Sequence, residues 1–320
     1  MQSLIIFPII IYMRQPTVIV PYAGPDPSGR IDDIFLYLRP ESNGVLVEST
    51  LMKVLRGNSQ YRDQAELVYL ANLPGDFIME NHVIEEHYSI NYKFAAGGKR
   101  CFTSKMVSRF EQHFGKSVQD CELVGAFDAL DRLSLTEEEL FSLWVPFEDI
   151  LFINGQSVKK YKELYIVNYD IPALLHKNNY STDIAVMVLR SSLDRQDFRE
   201  MISQMERALV SRGIMDADKP PSRYFHYSKS PFEQILDGMG YLYTPEGRHL
   251  PLENISFTAN LLENGFSIEE IQGIMKYPIM GFREEGNLIE DNVFMRARNK
   301  SFSEALQILA SARWQLYIDY

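Results

Sequence analysis

Between Glu163 and Arg212 the apolar residues alternate between strand-like and helix-like spacing, and that alternation narrows the fold more than any other stretch of the chain. ELYIVNYD is a strand-like run, Asp170 stands before a short helix over IPALLHK, and DIAVMVLR returns as a strand with hardly a polar break. A long helix is predicted from Asp194 to Arg212. Phe198, Met201, Ile202, Met205, Ala208 and Leu209 recur there at the i, i+3, i+4 spacing of one apolar stripe. Strand, helix, strand, helix is the order of a βαβ unit, and a near-continuous apolar strand suits a parallel sheet covered on both faces. The expected fold class is α/β: a central mixed sheet with at least one parallel βαβ pair flanked by helices, plus a smaller C-terminal α+β region.

Upstream, IDDIFLYLRP and AELVYLANLPG read as strands, whereas GVLVESTLMKVLRG fits strand or helix by periodicity alone. One helix is predicted from Asp76 to Ala96, stopped by Gly97 and Gly98, and a second over SKMVSRFEQHF, stopped by Gly115. Thr136 and Glu139 form a capping box, and Asn154-Gly155 between two strand-like runs is a strong hairpin signal. Ser230, Pro231 and Glu233 open a helix, YLYTPEGRHLPL suggests a hairpin, and FSEALQILASARWQLYI is read as a closing amphipathic helix.

The polar stretch Asp216 to Arg223 contains the Pro-Pro pair and suggests a soft boundary between an α/β core over 13–218 and a smaller α+β region over 219–320. Residues 1–12 are a doubtful N-terminal extension with three readings, an added edge strand, a membrane-touching anchor or a mis-assigned start with Met13 as the true initiator, the last preferred because TVIVPYAGPDPSG already reads as a first strand and loop. The apolar run in that extension is too short to span a bilayer, so no integral membrane association is expected. With 43 acidic against 32 basic residues the net charge is −11, which repels phosphate backbones and argues against nucleic acid. Two cysteines in 320 residues form no disulfide framework and no four-thiolate metal site, which fits a reducing cytoplasm.

MENHVIEEHYSINYKF concentrates His82, His87 and three glutamates. On one helix the two histidines lie about 140° apart and cannot grip one metal, and the spacing fails both zincin templates, so no metal site is expected. The same wheel puts Glu80, His87 and Asn91 within an apolar arc made by Met79, Val83, Ile84, Ile90 and Phe94. Polar groups inside a buried face need partners or a cleft, so these three form either a structural hydrogen-bond cluster, the first expectation, or a ligand or acid–base site in which His87 acts near neutral pH. SRYFHYSKSPFEQ interleaves Arg223, His226 and Lys229 with aromatic residues before a helix start, which suits an anionic ligand such as a nucleotide and equally suits a half-buried strand.

FGKSVQD lacks the first glycine of a phosphate loop, since Phe110 stands in its place. TANLLENGFSIEEIQGIMK has a helix-turn-helix outline, yet its second helix opens with Glu269 and Glu270 and offers phosphate only Lys276. No cofactor follows from any of these motifs. Two functions are therefore expected in order: a soluble cytosolic interaction or regulatory protein with a protein partner, or an enzyme or ligand-binding domain for a small anionic molecule, using His87 and the Arg223/Lys229 region.

Overall fold

The computed structural model describes residues 13–26, 32–218, 221 and 224–318. Its strands are β1 Thr17–Val20, β2 Asp32–Leu38, β3 Ala65–Leu73, β4 Glu122–Gly125, β5 Ile150–Ile153, β6 Gln156–Tyr161, β7 Leu164–Val167, β8 Ile184–Ser191, β9 Phe225–Tyr227, β10 Ile279–Glu284, β11 Asn287–Asn292 and β12 Ala312–Gln315. They build three sheets, ordered β1-β3-β8-β2-β9, β4-β7-β6-β5 and β11-β10-β12. The protein is mixed α/β, with a parallel pair, β4 and β7, inside a mixed sheet and an antiparallel sheet near the C-terminus. Among the described residues no helix is long and apolar enough to cross a membrane.

The parallel pair lies elsewhere than the spacing of residues 163–212 suggests. β7 and β8 belong to different sheets, and β8 is antiparallel to both of its neighbours, β2 and β3. The helix between them, Ile171–His176, has six residues and rises about 9 Å, too little to carry the chain back along β7 for a parallel return. β7 instead pairs with β4 through Glu122↔Leu164 to Gly125↔Val167, after a connection containing the helices Ala126–Leu133 and Glu137–Ser142 and the β5–β6 hairpin. The unbroken apolar run of β8 has its cause in layering. Val186 and Val188 face a core that includes Phe232 and Phe257, while Ala185, Met187 and Leu189 face the helices Val45–Gly57 and Arg195–Ser211. Burial of both faces sets the composition whichever way the neighbours run.

The chain beyond residue 219 returns to the first sheet. β9 lies on the edge of β2, pairing Tyr37 with His226 and Leu38 with Phe225, and the helix Pro231–Tyr241 packs Phe232 and Ile235 into the same core as Phe35 and Val186. Asp33, 2% exposed, ties these parts together: Arg190 donates to both its oxygens at 2.7 and 2.8 Å, and the hydroxyls of Tyr22 and Ser256 donate at 2.5 and 2.7 Å. A buried carboxylate satisfied by four donors tolerates its charge in a way an unpaired one cannot.

Two helix expectations change. Residues 75–97 form three short helices, Gly75–Glu80, Val83–His87 and Ser89–Gly97, rather than one. The break is at Asn81-His82, where His82 takes a left-handed conformation with φ +50°, a region that asparagine and histidine enter more readily than most residues. The closing helix, Phe302–Ser311, ends early and the chain turns into β12, which pairs with β10. Other local signals hold, including the capping box at Thr136, the Ser230 cap accepting from the Glu233 amide, the Gly115 stop with φ +65°, and the Asn154-Gly155 hairpin with Ile153↔Gln156 as its closing pair.

Candidate functional site

Four elements converge behind the β2–β9 edge. Tyr37 and His226 are register partners on adjacent antiparallel strands, so their side chains share one face, and the rings stack with centroids 4.7 Å apart. Asp237 and Tyr241, four residues apart on the helix Pro231–Tyr241, share one face and reach the same point. Ser228 follows β9, accepts from the Phe35 amide at 3.1 Å and donates to Asp237 Oδ2 at 2.6 Å. His87 enters from the end of the helix Val83–His87. The carboxylate of Asp237, 1% exposed, therefore lies between two imidazoles, with Oδ1 at 3.4 Å from His87 Nε2 and Oδ2 at 3.6 Å from His226 Nε2.

Above this array Tyr37 and Tyr88 join hydroxyls at 3.0 Å, and Arg39 donates to Tyr88 Oη at 3.1 Å with its guanidinium 5.3 and 5.9 Å from the two ring centroids. Such a cation over ring faces is held by the π quadrupole as well as by its hydrogen bond.

Burial dominates the electrostatics. It lowers the His87 imidazole to about 4, with His226 and Arg39 adding positive repulsion and Asp237 opposing. Burial lowers His226 to about 3, against the pull of Glu233. The same loss of water raises Asp237 to about 6, opposed first by His87 and then by the Ser228 hydrogen bond. Near neutral pH both imidazoles are uncharged and the carboxylate is close to the pH at which it takes a proton. The three groups together can hold or pass one proton, which is what a general acid or base requires. Among the described residues His226 Nε2 and Asp237 Oδ1 have no hydrogen-bond partner within normal limits, so the array is incompletely satisfied.

The sequence candidates divide. His87 points inward while His82 looks out to water, as the wheel implies. Glu80 is exposed and accepts from Tyr180 Oη at 3.0 Å, away from the array. Asn91 is half-buried and donates to Gly155 O and Gln156 Oε1, facing the second sheet. The break at His82 explains the separation, because the three residues no longer share one helix axis. His226 joins His87 across Asp237. Lys229 is half-buried beside it, 5.4 Å from the Tyr227 ring centroid, with its ammonium pKa lowered by burial. Arg223 lies outside the described residues. Asp237, Tyr37, Tyr88 and Arg39 are members that the sequence reading missed. Only Asp237 left a signal, as a carboxylate inside the apolar run FEQILDGMGY.

Arg39 and Tyr88 open onto a cavity of about 220 Å³ that Asn91, Asp170 and Lys177 also line. His87 borders a separate cavity of about 850 Å³ with Phe77, Tyr243 and His249. Among the described residues no three His, Cys, Asp or Glu side chains are arranged to hold a metal ion. No family model, curated protein or solved structure matches this chain.

Proposed function

We propose that this chain binds a small anionic molecule in the cavity at Arg39 and Tyr88, with the His87–Asp237–His226 array behind it setting the protonation of the site. The observation that carries this reading is the placement of Arg39. Its guanidinium is fixed over two tyrosine rings and bonded to one of them, and it lines a cavity of about 220 Å³, room for a small anion. A prepositioned planar cation offers a carboxylate or phosphate a charge-assisted hydrogen bond at little entropic cost. The buried ionisable groups behind it add little to stability, since desolvation offsets their attraction, and such clusters concentrate at functional sites. Free thiols at Cys101 and Cys121 suit a cytoplasmic setting.

Calorimetric titration of the full chain with acetate, succinate, inorganic phosphate and adenosine monophosphate tests the reading. At least one should bind, and Arg39→Lys, which keeps the charge but loses the fork, should weaken it about tenfold or more. Binding by none of the four, or equal affinity in Arg39→Lys, sinks the proposal.

A second reading, an interaction or regulatory protein with a protein partner, rests on Trp144 and Phe147. These lie three residues apart between the helix Glu137–Ser142 and β5, and are 82% and 79% exposed. Large apolar rings in water are common at association surfaces. Sedimentation velocity of the chain with and without Trp144→Ser and Phe147→Ser, in extract and in buffer, tests it. A complex that survives both changes rules this surface out.

A further inference from the structure

A different cavity, at the β5–β6 turn, is built for another kind of ligand. Its volume is about 570 Å³, inside the range of small-molecule sites. Asn154 and Gly155 turn the hairpin with φ of +50° and +78°. Beneath them the carboxamides bond to one another: Asn91 and Asn168 both donate to Gln156 Oε1, at 3.3 and 2.7 Å, and Gln156 Nε2 donates to Asn154 O at 3.2 Å. This floor is rigid because its amides are committed.

Asn154 is the exception. It is 3% exposed, and its Nδ2 donates to Glu290 at 2.7 Å, but its Oδ1 has no partner among the described residues. The hydroxyl of Ser157, also in the lining, has none either. Around the mouth stand Arg109 and Arg298, Asp170 and Asp291, and the ring of Phe152, 61% exposed. The two guanidiniums and two carboxylates leave the lining with no net formal charge, which favours neither an anion nor a cation.

From this set we infer that the cavity binds a neutral polyhydroxyl compound, a saccharide. An unpartnered carboxamide oxygen and two carboxylates ask the ligand for donors, which a carboxylate or a phosphate-monoester dianion lacks and which a phosphate ion offers only alongside a repelled negative charge. The two guanidiniums ask for acceptors, which an alkylammonium lacks. A hydroxyl is donor and acceptor at once, and vicinal hydroxyls span the two oxygens of a carboxylate or two nitrogens of a guanidinium. The exposed face of Phe152 provides an apolar plane for the C–H side of a sugar ring. The site is separate from that at Arg39: the two cavities meet only at Asn91 and Asp170, and their cations differ.

Saturation-transfer NMR on the full chain tests this, using methyl α-glucoside, methyl β-galactoside and methyl N-acetylglucosaminide at millimolar concentration, with adenosine monophosphate as the anionic contrast. Transfer to at least one glycoside is expected, falling to background in Phe152→Ala and in Arg298→Ala. Both side chains are exposed, so both variants should keep the parent circular dichroism and Tm. Arg39→Lys should leave the glycoside signal unchanged, which separates this result from the anion reading. Absence of transfer from all three glycosides, transfer only from the nucleotide, or undiminished transfer in both folded variants would overturn the inference.

Discussion

Acidification should destabilise this protein through the array at Asp237, by an amount that the structure fixes in sign and scale. In the fold His87 and His226 resist protonation down to about 4 and about 3, whereas an ordinary imidazole titrates at 6.5. As pH falls through 6.5 the unfolded chain therefore takes up protons that the fold refuses, and stability drops. Asp237 has the opposite sign. It accepts a proton at about 6 in the fold and at 3.8 when unperturbed, so acidification across that window favours the fold. With one pKa unit worth about 1.4 kcal/mol, going from pH ~7 to ~5 costs about 2 kcal/mol for each imidazole and returns about 1 from the carboxylate. The net loss is about 3 kcal/mol. Urea unfolding followed by far-UV circular dichroism at the two pH values measures it. In His226→Gln the loss should shrink to about 1 kcal/mol, and in Asp237→Asn it should grow to about 4 kcal/mol, because the opposing group is gone. Equal losses in the parent and both variants would refute the claim that these groups are buried together with neutral imidazoles.

Two further outcomes follow from packing. Asp33→Asn leaves Arg190 facing an amide within a buried network, and should cost about 3–5 kcal/mol, read as a fall in the urea midpoint with unchanged slope. Gly125→Ala would place a methyl 2.0 Å from the backbone oxygen of Ala95, so the helix Ser89–Gly97 must move off β4 at a cost of about 3 kcal/mol, visible as a lowered Tm in thermal unfolding.

What could be read in the chain itself was whatever local chemistry decides. The hairpin at Asn154-Gly155, the box at Thr136, the Ser230 cap and the stripe on the helix Arg195–Ser211 depend on residues a few positions apart, and they stand where their spacing puts them. So does the inward turn of His87, since a short amphipathic helix buries its apolar face. Strand direction did not follow from composition. β8 is apolar because layers cover both its faces, a fact as true of an antiparallel strand as of a parallel one.

The array was decided by tertiary structure alone. Tyr37, His87, His226 and Asp237 come from four separate segments, and only the pairing of β9 with β2 and the docking of the helix Pro231–Tyr241 give them a common centre. Nothing local links position 87 to position 237. The proton affinities of these groups belong to the assembled fold as well, because each arises from water excluded by neighbours distant in sequence.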